Sequence, residues 1–184
     1  MRLIFAFLVL SALTIFGWPA QIILLRHAEK PDDPAAVHLS PKGRERARAL
    51  VSLLGKSSPL TSHAPIAALY ATDVTKKDHS HRNGETLAPL AKELGLPVQT
   101  PYKTEAYSAL ARKILANTAY RGKTVVICWT HHNIADLATA LGVQPKPSQW
   151  NDTTFDRLWM IKPGVSGASF QDLPQELLNG DSKH

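Results

Sequence analysis

Two short polar clusters stand at the ends of apolar runs and carry side chains capable of phosphorus chemistry. Arg26-His27 follows QIILL, and Thr130-His131-His132-Asn133 follows KTVVICW. A neutral imidazole is a competent nucleophile toward phosphorus, and an adjacent guanidinium can clamp phosphoryl oxygens bidentately. A third cluster, HSHR from His79 to Arg82, precedes a periodic apolar segment. Backbone N–H groups at such a helix start favour an anion, and Arg82 adds charge there. Each cluster also has a plainer reading on its own: a surface Arg-His pair, a solvated basic loop, or a capping or packed histidine. His79, His81, His131 and His132 offer a further alternative, a site for zinc or copper, although no carboxylates accompany them at ligand spacing.

The elements that must position these residues alternate between strand and helix. Gln21 to Leu25 is an apolar run rich in branched residues, the signature of a buried strand. Ser40-Pro41 opens a helix, with Ser40 as N-cap and Pro41 at its first position. Ala47, Leu50, Val51 and Leu54 form its inward stripe, and Gly55 stops it. The spacing then predicts a strand over 66–71 and a helix over 84–94 that ends at Gly95. A helix over 107–120, a strand over 123–129, a helix over 133–141 and a strand over 155–161 follow. The tail from Pro163 is Gly-, Ser- and Asp-bearing and reads as loosely held. Such alternation implies βαβ units in a single three-layer α/β/α domain, with a largely parallel sheet. Ligands of such sheets bind beyond the carboxyl ends of the strands, where Arg26-His27 and His131-His132 stand.

The chain has 184 residues, 21 Lys+Arg and 15 Asp+Glu, for a formal charge of +6. At 44% hydrophobic and 20% charged residues it is neither disordered nor collagen-like. Its single cysteine, Cys128, excludes an intramolecular disulfide framework and a multi-thiolate zinc site, and reads as a buried, inert thiol. Arg44, Arg46 and Arg48 read as a solvated helix face, since no aromatics interleave them as in a single-strand nucleic-acid binder. Trp150 and Trp159 read as packing. Met1-Arg2 precedes an apolar run from Leu3 to Phe16, broken by Gly17, Trp18, Pro19 and Ala20. This pattern resembles a secretory signal over residues 1–20, with the functional domain at 21–184. Cleavage near Ala20 gives an exported protein, periplasmic or secreted, with no stable membrane insertion. Without cleavage the run is an anchor, though short of the roughly 20 apolar residues a span needs.

Taken together, these blocks resemble the histidine phosphatase superfamily, which includes phosphoglycerate mutases and phosphohistidine phosphatases. LLRHAEK (24–30) is similar to its signature, LSPKGRERARAL (39–50) to its first helix and LYATD (69–73) to its second strand. RNGETLAPLAKELGLPV (82–98) is similar to its Arg-x-x-Glu-Thr-Ala helix, and VVICWTHHNIADLATALG (125–142) to its strand, second histidine and helix. FDRLWMI (155–161) fits the closing strand. The resemblance spans residues 21 to 162 and implies a phosphoglycerate mutase-like fold. It further implies a phosphohistidine intermediate on His27, phosphoryl oxygens held by Arg26 and Arg82, and His131 completing the pocket opposite His27. No metal or other cofactor is implied, because cations and imidazoles neutralise the transferring group.

This chain departs from the family pattern in three places. Ala28 replaces the usual glycine, a TDVTKKDHSH stretch precedes Arg82, and Thr-His-His-Asn replaces Gly-His-Ser-Asn. His131 is preferred to His132 because it keeps Asn133 two residues on. For the general acid, relatives take a carboxylate from the loop after the third strand, a place Glu105 occupies. Glu105 reads equally as a first-turn helix acid. Glu29 and Asp73 are further candidates, with Glu29 also set to pair Lys30. No insertion is long enough for a cap domain, so a small, open site is expected. It would suit a phosphorylated small molecule or a phosphoprotein, and nucleic acid is not an expected partner. A catalytically inactive relative that binds phosphorylated ligands is the other alternative.

Overall fold

The structure, a computed structural model, describes residues 18–75, 79–164 and 167–183. The apolar run from Leu3 to Phe16 lies outside them, and among the described residues no helix is long and apolar enough to cross a membrane. Six strands form one sheet in the order β3-β2-β4-β1-β5-β6. They are β1 (Gln21–Arg26), β2 (Ile66–Thr72), β3 (Val98–Tyr102), β4 (Thr124–Trp129), β5 (Arg157–Gly164) and β6 (Gly167–Pro174). The first four are mutually parallel, whereas β5 runs antiparallel to β1 and β6 antiparallel to β5. Both central strands, β1 and β4, are buried along their whole length, as continuous apolar runs covered on two faces should be.

Strand alternation divides the core in two. Ile23, Leu25, Leu69, Val126 and Met160 pack under α1 (Pro41–Leu54) and α2 (Arg82–Leu94) through Leu50, Leu54, Leu87 and Leu90. Ile22, Leu24, Tyr70, Val125 and Ile127 face α3 (Tyr107–Ala116) and α4 (His131–Ala140) through Leu110, Ile114, Ile134 and Leu137. Trp150 and Trp159 join this second core with rings 4.7 Å apart, so the packing reading holds for both. Ser40 caps α1 as expected, accepting from the Gly43 amide at 3.0 Å. Gly95 ends α2 in the left-handed region, at φ 69°.

Four expectations are corrected. The helix read over 107–120 ends at Ala116, because Asn117 is extended and its side chain accepts from the Ala119 amide, turning Thr118–Tyr120 into a separate 3₁₀ turn. Val98–Tyr102 is an edge strand whose Pro101 and polar positions conceal it. The tail is not loosely held, because β6 pairs with β5 along its length. Nor is Arg46 solvated: it is 2% exposed and binds Glu29 and Asp181.

Gly43 shows how closely α1 approaches the segment that follows β1. A Cβ there would sit 2.2 Å from the Glu29 carbonyl oxygen and 3.0 Å from the Glu29 nitrogen. Gly43→Ala must therefore push backbone two residues beyond His27. It is expected to lower stability by about 1–3 kcal/mol, read from urea denaturation.

Candidate active site

Connectivity creates the crevice. β1 and β4 are neighbours, yet the helix after β1 packs on one face of the sheet and the helix after β4 on the other. The chain leaves the two strands in opposite directions, opening a cleft at their carboxyl ends. Arg26 is in register with Trp129, so Arg26-His27 and Thr130-His131 stand side by side there.

His27 is 5% exposed. Its Nδ1 lies 2.7 Å from the Ala28 carbonyl oxygen, which can only accept, so the proton sits on Nδ1 and the lone pair on Nε2. Burial, then the charges of Arg26, Arg82 and His131, push the imidazole down to about 3, although the Ala28 hydrogen bond opposes this. The ring stands edge-on to His131 at 6.5 Å and tilted against Phe155 at 5.8 Å. Of the adjacent pair, His131 makes this contact, while the ring of the exposed His132 lies tilted against it at 3.9 Å.

Arg26 is buried at the end of β1, and its burial, countered by Asp152 and reinforced by Arg82, lowers it to about 10. Its Nη1 donates to the carbonyls of Asn151 (2.9 Å), Asp152 (2.6 Å) and Thr154 (3.2 Å), and the guanidinium lies 4.1 Å over the Phe155 ring. Its Nε is buried without a hydrogen-bond partner, as is Thr130 Oγ1 on the neighbouring strand end. Arg82 opens α2, donating from Nε to Ser80 Oγ at 3.0 Å and from Nη1 to the Ala36 carbonyl at 3.1 Å. Its charge acts on both Arg26 and His27. His131 begins α4 and is lowered to about 4, by burial first and by Arg26 next. Its Nε2 lies 2.9 Å from Asp152 Oδ1.

The RNGET block fastens these parts together. Thr86 Oγ1 accepts from the Ala28 amide at 2.9 Å and donates to the Arg82 carbonyl at 2.8 Å, tying α2 to the turn after His27. Glu85 accepts from the Leu39 amide at 2.9 Å and meets His38 Nδ1 at 2.5 Å. Although burial opposes it, these bonds hold the carboxyl below its usual range. Glu29 does not pair with Lys30; its carboxylate is bound by Arg46 from two nitrogens. Glu105 is exposed in the 3₁₀ turn Thr104–Ala106. That turn hangs beside the end of β4, since Trp129 Nε1 donates to the Thr104 carbonyl at 3.2 Å. Asp73 is half-buried just past β2, its amide donating to the Tyr102 carbonyl at 2.7 Å. Cys128 is a buried thiol pushed up by burial, as expected.

The site is not open. Residues 151–155 lie over it, their carbonyls on Arg26, the Asp152 carboxylate on His131 and the Phe155 ring against His27. Asp152 carries no signal in the sequence, and Phe155 is read there only as the first residue of the closing strand. Thr86 stood inside a recognised block but shows its task only in three dimensions.

No family model and no curated protein matches the chain by sequence. Solved structures do match it. The protein histidine phosphatase SixA complexed with tungstate is similar at 16% identity and TM-score 0.58, covering 84% of this chain and 97% of that one. The alpha-ribazole phosphatase from Shigella flexneri is similar at 14% identity and TM-score 0.55, covering 84% and 96%. A mycobacterial glucosyl-3-phosphoglycerate phosphatase in complex with inorganic phosphate is similar at 16% identity and TM-score 0.52, covering 83% and 95%. The likeness extends across nearly the whole of each solved protein, and the chain has the fold of these phosphatases.

Proposed function

We propose that the protein is a phosphatase that hydrolyses phosphomonoesters, on a small molecule or a phosphoprotein, through a phosphohistidine intermediate on His27. One observation carries the reading: a buried, neutral imidazole with Nδ1 engaged by the Ala28 carbonyl and an unprotonated lone pair on Nε2, among Arg26, Arg82 and His131. Nε2 attacks phosphorus, the N–P bond forms as the P–O bond to the leaving group breaks, and the leaving oxygen takes a proton. Water then attacks phosphorus as the N–P bond breaks and its electron pair returns to Nε2; the water's proton passes to the group that protonated the leaving oxygen, and phosphate departs. Arg26, Arg82 and His131 hold the phosphoryl oxygens as charge spreads over them. The partnerless Arg26 Nε is a donor of the kind such an oxygen satisfies. Glu105, on the turn beside β4, is assigned as the proton donor. An oxygen that takes Arg26 Nη1 replaces the carbonyls of Asn151, Asp152 and Thr154 now on it.

The similar proteins, a protein histidine phosphatase, an alpha-ribazole phosphatase and a glucosyl-3-phosphoglycerate phosphatase, support a phosphorylated substrate without selecting one. The apolar start supports export with cleavage near Ala20. The test is hydrolysis of 4-nitrophenyl phosphate with chelator present, coupled to trapping of enzyme-bound phosphate. Turnover with an acid-labile phosphate on His27 is expected; turnover without labelling at His27 would remove the mechanism.

A further inference from the structure

At the mouth of the crevice His131, His132 and Asp152 offer three ligand atoms that all lie within 4.8 Å of one another, the sole such group among the described residues. His131 Nε2 is 2.9 Å from Asp152 Oδ1, and the two imidazole rings are 3.9 Å apart. A tetrahedral ion with bonds of about 2.0–2.2 Å places its ligand atoms roughly 3.3–3.6 Å from each other. Small side-chain rotations therefore bring all three onto one centre. His132 and Asp152 are exposed, which leaves the remaining position to solvent. Two imidazoles with one carboxylate suit a borderline ion such as zinc, whereas calcium and magnesium require oxygen ligands.

We infer that His131, His132 and Asp152 bind a divalent transition-metal ion of the zinc class, and that its binding holds the catalytic crevice closed. An ion bound there occupies an imidazole nitrogen of His131 and fixes Asp152 to it. The carbonyl of that same Asp152 is already on Arg26 at 2.6 Å. The ion would thus pin residues 151–155 over His27 and withhold His131 from a phosphoryl oxygen. His79 and His81 take no part in this group; His81 stacks on His38 at 5.1 Å instead. Linear spacing conceals the site, because its carboxylate comes from the loop before β5. The binding half of the inference is independent of the phosphatase reading, and the closure half rests on it.

The experiment uses untagged full-length protein and Zn²⁺ alone. Equilibrium dialysis of the wild type, His132→Ala and Asp152→Ala is expected to give one ion per wild-type chain, bound at least about tenfold more weakly by each variant. Both side chains are exposed, so neither change opens the core. Hydrolysis of 4-nitrophenyl phosphate is measured with and without zinc, each protein being its own reference. Strong inhibition of the wild type, requiring at least tenfold more zinc in both variants, supports the inference. Absence of binding, or equal binding by all three proteins, overturns the site. Binding without inhibition overturns the closure. A wild type that hydrolyses nothing counts against the phosphatase reading, while dialysis still decides the site.

Discussion

Replacement of His27 by alanine is expected to lower the kcat for an aryl phosphate at least about 10³-fold and to abolish acid-labile labelling, while phosphate still binds. The magnitude follows from what the imidazole does. It supplies the only nucleophilic nitrogen the reading uses, and without it water must attack phosphorus directly. Arg26, Arg82 and His131 remain, and preorganised cations preserve part of the transition-state stabilisation, so residual rate above the uncatalysed reaction is expected. The fold should survive. The hydrogen bond lost is one between His27 and the Ala28 carbonyl next to it in the chain, with no partner on another element. Inhibition by inorganic phosphate, with circular dichroism of the native form, separates loss of the nucleophile from loss of the pocket. An alanine variant with undiminished turnover would eliminate His27 as the nucleophile and leave only the fold standing.

How much of this site the sequence makes legible depends on whether a residue's task is local. Ser40, Pro41 and Gly95 act on their own helix ends and are read from residue type alone. The buried central strands are read from unbroken apolar runs. His27 and His131 are found because both sit where apolar runs stop, and parallel sheets expose chemistry at those points. Asp152 is not legible and Phe155 is read only as a strand residue: what brings them over His27 is the return of the chain into antiparallel β5. β6 is missed for a related reason. As an edge strand it has a row of exposed and half-exposed positions, so it lacks the apolar periodicity that marks a covered strand. Arg46 is a different case, because its position did carry the signal. It stands four residues before Leu50, on the stripe that buries Gly43, Ala47, Leu50 and Leu54. Treating charge as a mark of the solvent face overrode that period.

That buried guanidinium carries the largest expected effect on stability. Arg46 Nη2 donates to Glu29 Oε1 at 2.8 Å and to Asp181 Oδ1 at 2.7 Å, while Nη1 donates to Asp181 Oδ2 at 2.8 Å. The cluster joins α1, the segment after His27 and the C-terminal tail. Both carboxylates are poorly solvated, and beyond Arg46 the Glu29 carboxylate has, among the described residues, only the longer contact from Lys42 Nζ at 3.6 Å. Arg46→Ala is expected to cost about 3–5 kcal/mol in urea denaturation at pH 7, because it strands two poorly solvated acids. The pH dependence has a definite sign. Opposing its own burial, hydrogen bonds from Arg46 and from the Leu177 and Leu178 amides hold Asp181 at about 2, below its ordinary 3.8. A depressed folded-state value contributes stability that is fully present above pH 3.8 and is lost as pH falls toward 2. Removing the guanidinium raises the folded-state value, so the variant's deficit relative to wild type is largest near neutrality and shrinks as acid neutralises the stranded carboxylates. A deficit that stayed constant from pH 7 to pH 3 would mean that packing, and not the ion pairs, is what Arg46 contributes.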